Sequence, residues 1–93
     1  MTNHSEHELL KLAKTWGLDY QVAKVKSELI EVIREQCQKK KITQRQLARL
    51  VPGLSQDRVS KIFNGHLGHM SIDKLVEINS ALKIKVSIKA TQR

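Results

Sequence analysis

The sequence predicts an all-α fold of about five helices followed by one strand, and three observations predict it. Five capping residues, Ser5, Asp19, Thr43, Ser55 and Ser71, each precede a segment whose apolar positions recur at helical spacing. Glycine and proline fall between those segments rather than inside them. Only near the end, at Ile84-Lys85-Val86-Ser87-Ile88-Lys89, does the period change to strict alternation, the pattern of a half-buried strand.

The elements follow in order. Ser5 with Glu8 fits a capping box, Leu9, Leu12, Ala13 and Trp16 make one face, and Gly17 can end the helix, so a short helix over 5–16 is expected. Asp19 caps a long helix with a stripe of Val22, Val25, Leu29, Val32/Ile33 and Gln36/Cys37. Its end at Lys39-Lys40-Lys41 sets cations against the negative end of the dipole. Thr43 and Gln46 form a second capping box for a helix whose inner face is Leu47, Ala48 and Val51, stopped by Pro52-Gly53. Ser55 opens the next helix, with Val59, Ile62 and Phe63 inward, and Asn64-Gly65 closes it. After the loop His66–Met70, Ser71 caps a last helix with Ile72, Leu75, Val76 and Ile78/Leu82 apolar. The organisation expected is an N-terminal helix and connection over 1–21 and a main domain over 22–93, with the strand at 84–89. A lone strand has no partner in its own chain, so pairing with a second copy about a two-fold axis, through Ile84, Val86 and Ile88, is the favoured expectation. A frayed tail or an unwound helix end is the alternative.

Composition narrows function. The chain has 93 residues, 17 Lys+Arg against 9 Asp+Glu, and three aromatic residues, Trp16, Tyr20 and Phe63. Its core must therefore be aliphatic, and the excess of base suggests a polyanion as partner, nucleic acid or an anionic surface, although some soluble proteins are simply basic. Residues 1–23 hold two lysines and three acids, so the excess of base lies in residues 24–93, with fifteen bases and six acids. The single cysteine, Cys37, excludes an intramolecular disulfide and favours a reducing compartment. Neither a secretory leader nor an apolar run of roughly 18 residues is present, so a soluble, cytoplasmic protein with no membrane partner is expected.

The unit from Ile42 to Gly65 carries the functional reading. A short helix, a tight turn and a second helix match a helix-turn-helix in length and punctuation. Ala48 allows close crossing, Gly53 tolerates positive φ in the turn, and the seam of Val59, Ile62 and Phe63 buries the second helix. Gln56, Asp57, Ser60, Lys61 and Asn64 then remain on a free polar face. Glutamine can make bidentate contacts to adenine, and lysine or arginine can donate to guanine. Gln44 begins its helix where open N–H groups attract phosphate, and Arg45 is the better phosphate candidate of the exposed pair Arg45 and Arg49. The bland reading of Leu54–His66 is a solvated face on a core helix, and of Lys39–Lys41 a charged helix end.

TQRQLARLV and GLSQDRVSKIFNG, with LVEINSALKIKVSI behind them, resemble the lambda-repressor/Cro-like helix-turn-helix of the Xre family, over about Val22 to Ile88. Within it the likeness is to the compact branch with HigA-type antitoxins and small phage or mobile-element regulators. The resemblance implies phosphate contacts at Gln44 and Asn64, and base edges or nearby backbone facing Gln56, Asp57, Ser60 and Lys61, with Arg58 beside them. Thr43, Arg45, Ser55 and His66 complete the expected DNA-binding set. Two departures stand out. The turn VPGLS is one residue longer than the commonest form, and Asp57 puts an acid on the reading face. That acid either accepts from a cytosine amino group or, the favoured reading, suits the helix N-terminus.

The rest reads as structure. His66-x-x-His69 and His4-x-x-His7 share a spacing, but a metal site normally needs three or four ligands, so neither a metal nor a cofactor is expected. Cys37 sits one turn after Ile33 as a core thiol. No nucleophile elbow, glycine-rich phosphate loop or acid pair argues for an enzyme. The expected function is a homodimeric repressor on double-stranded DNA, with palindromic half-sites about 34 Å apart. A rival of another class is a protein-binding module that neutralises a toxin through the first helix, which lies in the net-acidic segment 1–23 and otherwise packs on its own core. A third is nucleic-acid binding without sequence preference.

Overall fold

The computed structural model describes residues 6–87 and residue 90. Five α-helices lie among them: α1 (Glu6–Trp16), α2 (Tyr20–Lys40), α3 (Gln44–Leu50), α4 (Gln56–Phe63) and α5 (Ile72–Ala81), with a 3₁₀ turn at Leu67–His69. No described helix is long and apolar enough to cross a membrane.

Caps begin four of the five helices. Asp19 accepts from the Gln21 and Val22 amides, Ser55 from Arg58 and Ser71 from Lys74, and Thr43 forms the full reciprocal box with Gln46. Each satisfies donors that a helix start leaves open. The serine expected to cap α1, Ser5, lies outside the described residues. Four helices end alike, with a residue in the left-handed region and two returning amides. After α1 these are Gly17 to Lys14 O and Leu18 to Ala13 O, and after α4 Gly65 to Ile62 O and His66 to Lys61 O. At the ends of α2 and α5 the left-handed residue is a lysine, Lys41 or Lys83.

The central α2 packs against α5, α1 and, more lightly, α4, while α3 packs on α4. One aliphatic core includes Ala13, Ile30, Ile33, Leu47, Val59, Ile62, Leu75, Ile78 and Leu82. The buried stripe of α2 is rotated from the expected one. It runs Ala23, Lys26, Ile30, Ile33, Cys37 with Ser27 and Leu29 beside it, while Val22 and Val25 are half-buried and Val32 is 37% exposed. Small Ala23 faces inward where neighbours approach closely, and Lys26 faces inward to reach a carbonyl. Val51 is buried as expected, but as an extended residue after α3 rather than within it. Cys37 is buried among apolar neighbours, and desolvation pushes its thiol pKa up, which keeps it protonated and unreactive.

The expected strand at 84–89 is corrected. Residues 84–87 form no strand, and Ile88 and Lys89 lie outside the described residues. Lys83 (φ 65°) reverses the chain, Ile84 N donates to Asn79 O at 2.9 Å, and Ile84 and Val86 turn back onto the molecule's own core. The alternation is real, but a helix face rather than a neighbouring strand takes up its apolar half.

Candidate nucleic-acid interface

Both helices of the Ile42–Gly65 unit begin at the surface. At α3, Thr43 Oγ1 accepts from Gln46 N (3.1 Å) and Gln46 Oε1 from Thr43 N (2.8 Å). The amides of Gln44 and Arg45, at the first two helical positions, have no intrahelical acceptor; Arg45 is exposed and Gln44 half-buried. At α4 the cap from Ser55 Oγ to Arg58 N (3.2 Å) leaves the Gln56 and Asp57 amides similarly open, with both side chains exposed.

The lengthened turn between them is held from inside. Val51 and Leu54 are both buried, Leu54 N donates to Val51 O (3.1 Å), and Gly53 takes φ +78°. From α5, Lys74 Nζ donates to Pro52 O at 3.0 Å and meets Glu77 at 3.3 Å. The turn thus carries two inward side chains, Val51 and Leu54, which seat α4 against α3.

Along α4, Val59 and Ile62 are fully buried and Phe63 half-buried, so the expected seam is the buried one. The polar residues differ in freedom. Gln56 is unengaged by any side-chain bond among the described residues. Asp57 pairs with Lys61 at 3.1 Å, one turn apart on the outer face, which ties the acid to the base beside it. Arg58 is half-buried, and its guanidinium donates to His69 O at 3.2 Å, so it braces the following loop rather than standing free. Ser60 is half-buried and Asn64 exposed at the C-cap. Thr43 and Ser55, expected among the contacts, have hydroxyls that already accept capping bonds.

His66 has a neighbour the sequence did not announce. Its ring centroid is 5.2 Å from that of Trp16 and 5.6 Å from that of His69, and Trp16 meets His69 edge-on at 5.6 Å. The loop after α4 is therefore stacked against the last residue of α1. Gly68 permits it: a Cβ there would lie 3.0 Å from Trp16 Cε3.

Sequence reasoning missed the cations that hold this loop. Arg34 of α2 donates to Phe63 O and lies 5.5 Å over the Phe63 ring. Lys26 is 7% exposed, and its ammonium donates to Leu67 O at 2.8 Å; desolvation lowers its pKa. Only Lys26 had a readable signal, since 26 falls on the line Ala23, Ile30, Ile33. Arg34 reaches across 29 residues to its partner, and no local pattern encodes that. Part of the positive charge is thus structural: Lys26, Arg34, Lys40, Arg58 and Lys74 all donate to backbone carbonyls. Arg45 and Arg49 are exposed on α3, and Lys39 and Lys41 at the end of α2.

No curated protein and no solved structure matches the chain. A family model described as a helix-turn-helix domain matches residues 19–91, which takes in α2 to α5 and the segment after them. The chain belongs to this helix-turn-helix domain family.

Proposed function

We propose that the protein is a sequence-specific regulator that binds double-stranded DNA, acting as a homodimeric repressor of the Xre type. The observation that carries this is α4. It buries one narrow seam, is held from both ends, and offers exposed Gln56 and Asp57 at its start with half-exposed Ser60 and Lys61 one turn further on. That is the geometry of a helix entering the major groove by its first turns. Gln56 is the freest base reader, and Lys61 reads or neutralises depending on whether it leaves Asp57. Open amides at the start of α3 suit a phosphate. On this reading the protein works in the cytoplasm by binding and excluding polymerase, not by catalysis.

Selection of duplexes from a random pool tests the proposal, with an enriched palindrome as the expected result and no enrichment as the refutation. Gln56→Ala and Lys61→Ala should each reduce preference for the selected duplex over random DNA by about 1–3 kcal/mol. Two-fold pairing would have to use the backbone edge of residues 84–87, since the Ile84 and Val86 side chains pack on the chain's own core. Val86→Pro should leave the helical circular dichroism intact and give a monomer in sedimentation. A dimer that survives this change would put the interface elsewhere.

A protein-neutralising role is the second reading, and one observation favours it: α1 lies outside the family-matched residues and leaves Leu10 half exposed beside a groove that includes Ala13 and Leu18. Leu9, Leu12 and Trp16, by contrast, are engaged with the protein's own core. Co-purification with the product of an adjacent small reading frame distinguishes this role from DNA binding alone.

A further inference from the structure

We propose that Arg34, which lies on α2 outside the helix-turn-helix unit, is a positioning residue that sets the angle at which α4 meets DNA. The inference rests on the reading of α4 as the element that enters the groove. A buried seam fixes a helix against rotation about its own axis but leaves its tilt to whatever holds the ends. The N-terminal end of α4 is held by the buried turn residues Val51 and Leu54. At the C-terminal end, Ser60, Lys61 and Ile62 carbonyls receive backbone amides from Asn64, Gly65 and His66. The Phe63 carbonyl receives the Arg34 guanidinium instead.

Three features make this more than one more hydrogen bond. The guanidinium is a full positive charge at the negative end of the helix dipole. It also lies over the Phe63 ring, so one side chain grips both the carbonyl and the side chain of the last residue of α4. Beyond it is an open groove lined by Arg34, Cys37, Gln38, Ile42, Thr43 and Phe63, and among the described residues no other side-chain hydrogen bond joins α2 to the last residue of α4. Loss of the grip lets that end swing toward the groove. Val59 and Ile62 stay buried, while the first turns of α4 change their approach to the bases.

The test compares binding of two probes: the duplex that the wild-type full chain enriches from a random pool, and a scrambled duplex of the same composition. For Arg34→Met, affinity for the enriched duplex should fall about tenfold and affinity for the scrambled one should stay within about twofold. The logarithmic salt slope on scrambled DNA should not change. Arg34→Lys, which retains one charged donor but not the planar fork, should restore part of the loss and keeps the test open if the methionine variant melts early. Phe63→Leu removes the ring and leaves the carbonyl; combined with Arg34→Met its effect should be less than additive.

An equal fall on both probes, with the slope reduced by about one, would make Arg34 a phosphate contact and overturn the proposal. Unchanged discrimination in Arg34→Met, or full additivity with Phe63→Leu, would overturn it as well. If the wild-type chain enriches no duplex, the reading of α4 falls and the positioning role falls with it.

Discussion

The two ends of α4 are built by different means. Its start is made from neighbours in sequence: Ser55 caps it three residues ahead of its donor, Asp57 pairs with Lys61 a turn later, and Leu54 anchors the turn just before it. The region past its end is made from the rest of the chain. Arg34 comes from 29 residues away, Lys26 from 41, and Trp16 from another helix altogether. The first construction leaves side chains and amides open to a partner. The second closes the carbonyls of Phe63, Leu67 and His69 with cations and sets the Trp16, His66 and His69 rings against one another. A reading helix needs both, a free leading edge and a trailing edge that does not move.

The largest expected effect comes from forcing the trailing end open. Gly68→Val sets a branched side chain against Trp16, where even a Cβ would sit 3.0 Å from the indole. The cost should be about 1–3 kcal/mol in a denaturant titration. Trp16 is the only tryptophan in the chain, so its fluorescence reports the displacement directly. An unshifted emission with unchanged stability would mean that the stack of Trp16, His66 and His69 does not hold the loop.

Breaking the leading end should cost less. Ser55→Ala removes the acceptor for the Arg58 amide and should lower stability by about 1 kcal/mol. Water can reach the exposed start of α4 and satisfy the freed amide, which is why the loss is smaller. A loss matching that of Gly68→Val would show that the two ends are not different in kind.

The same division explains what could be read from the sequence. Helix starts were legible because caps act within three residues: Asp19, Thr43, Ser55 and Ser71 all bond as their types require. The polar face of α4 was legible because Val59 and Ile62 fix its inner side. The pair Asp57 and Lys61 lay at a spacing that allows it, yet the sequence cannot say whether the lysine turns to the acid or to a partner. Two features were misjudged because tertiary packing decides them. The stripe of α2 turned toward Ala23 and Lys26, since neighbours on two sides choose which apolar residues they cover. The alternation at 84–89 predicts a strand, but period two states only that the chain is extended and half-buried. The surface that buries Ile84 and Val86 is helical. Of the carbonyl-seeking cations only Lys26 left a trace, on the line of Ala23, Ile30 and Ile33, whereas Arg34 in sequence is one base among many.

The smallest expected effect, and the one with the clearest signature, belongs to Lys26. Replacing it with methionine removes the donor to Leu67 O, which destabilises the loop, and removes a charge buried with only that carbonyl for company, which stabilises it. The two oppose, so the net change near neutral pH should be small. Their pH dependence does not cancel. Burial lowers the folded-state pKa of Lys26 below its ordinary 10.5, so the folded chain disfavours the ammonium relative to the unfolded one. The stability tied to this group is therefore fully present above 10.5 and is lost as pH falls through the folded-state value. Cys37 works in the opposite sense, because its pKa is raised above 9.0 and the stability tied to it is lost as pH rises. Comparing the two proteins at each pH removes the Cys37 contribution, which they share. The wild type should then gain on Lys26→Met as pH rises from the lowered folded-state value toward 10.5. A flat difference would mean that the Lys26 ammonium is hydrated in the folded protein, and the loop after α4 would then rest on Arg34, Arg58 and Trp16 alone.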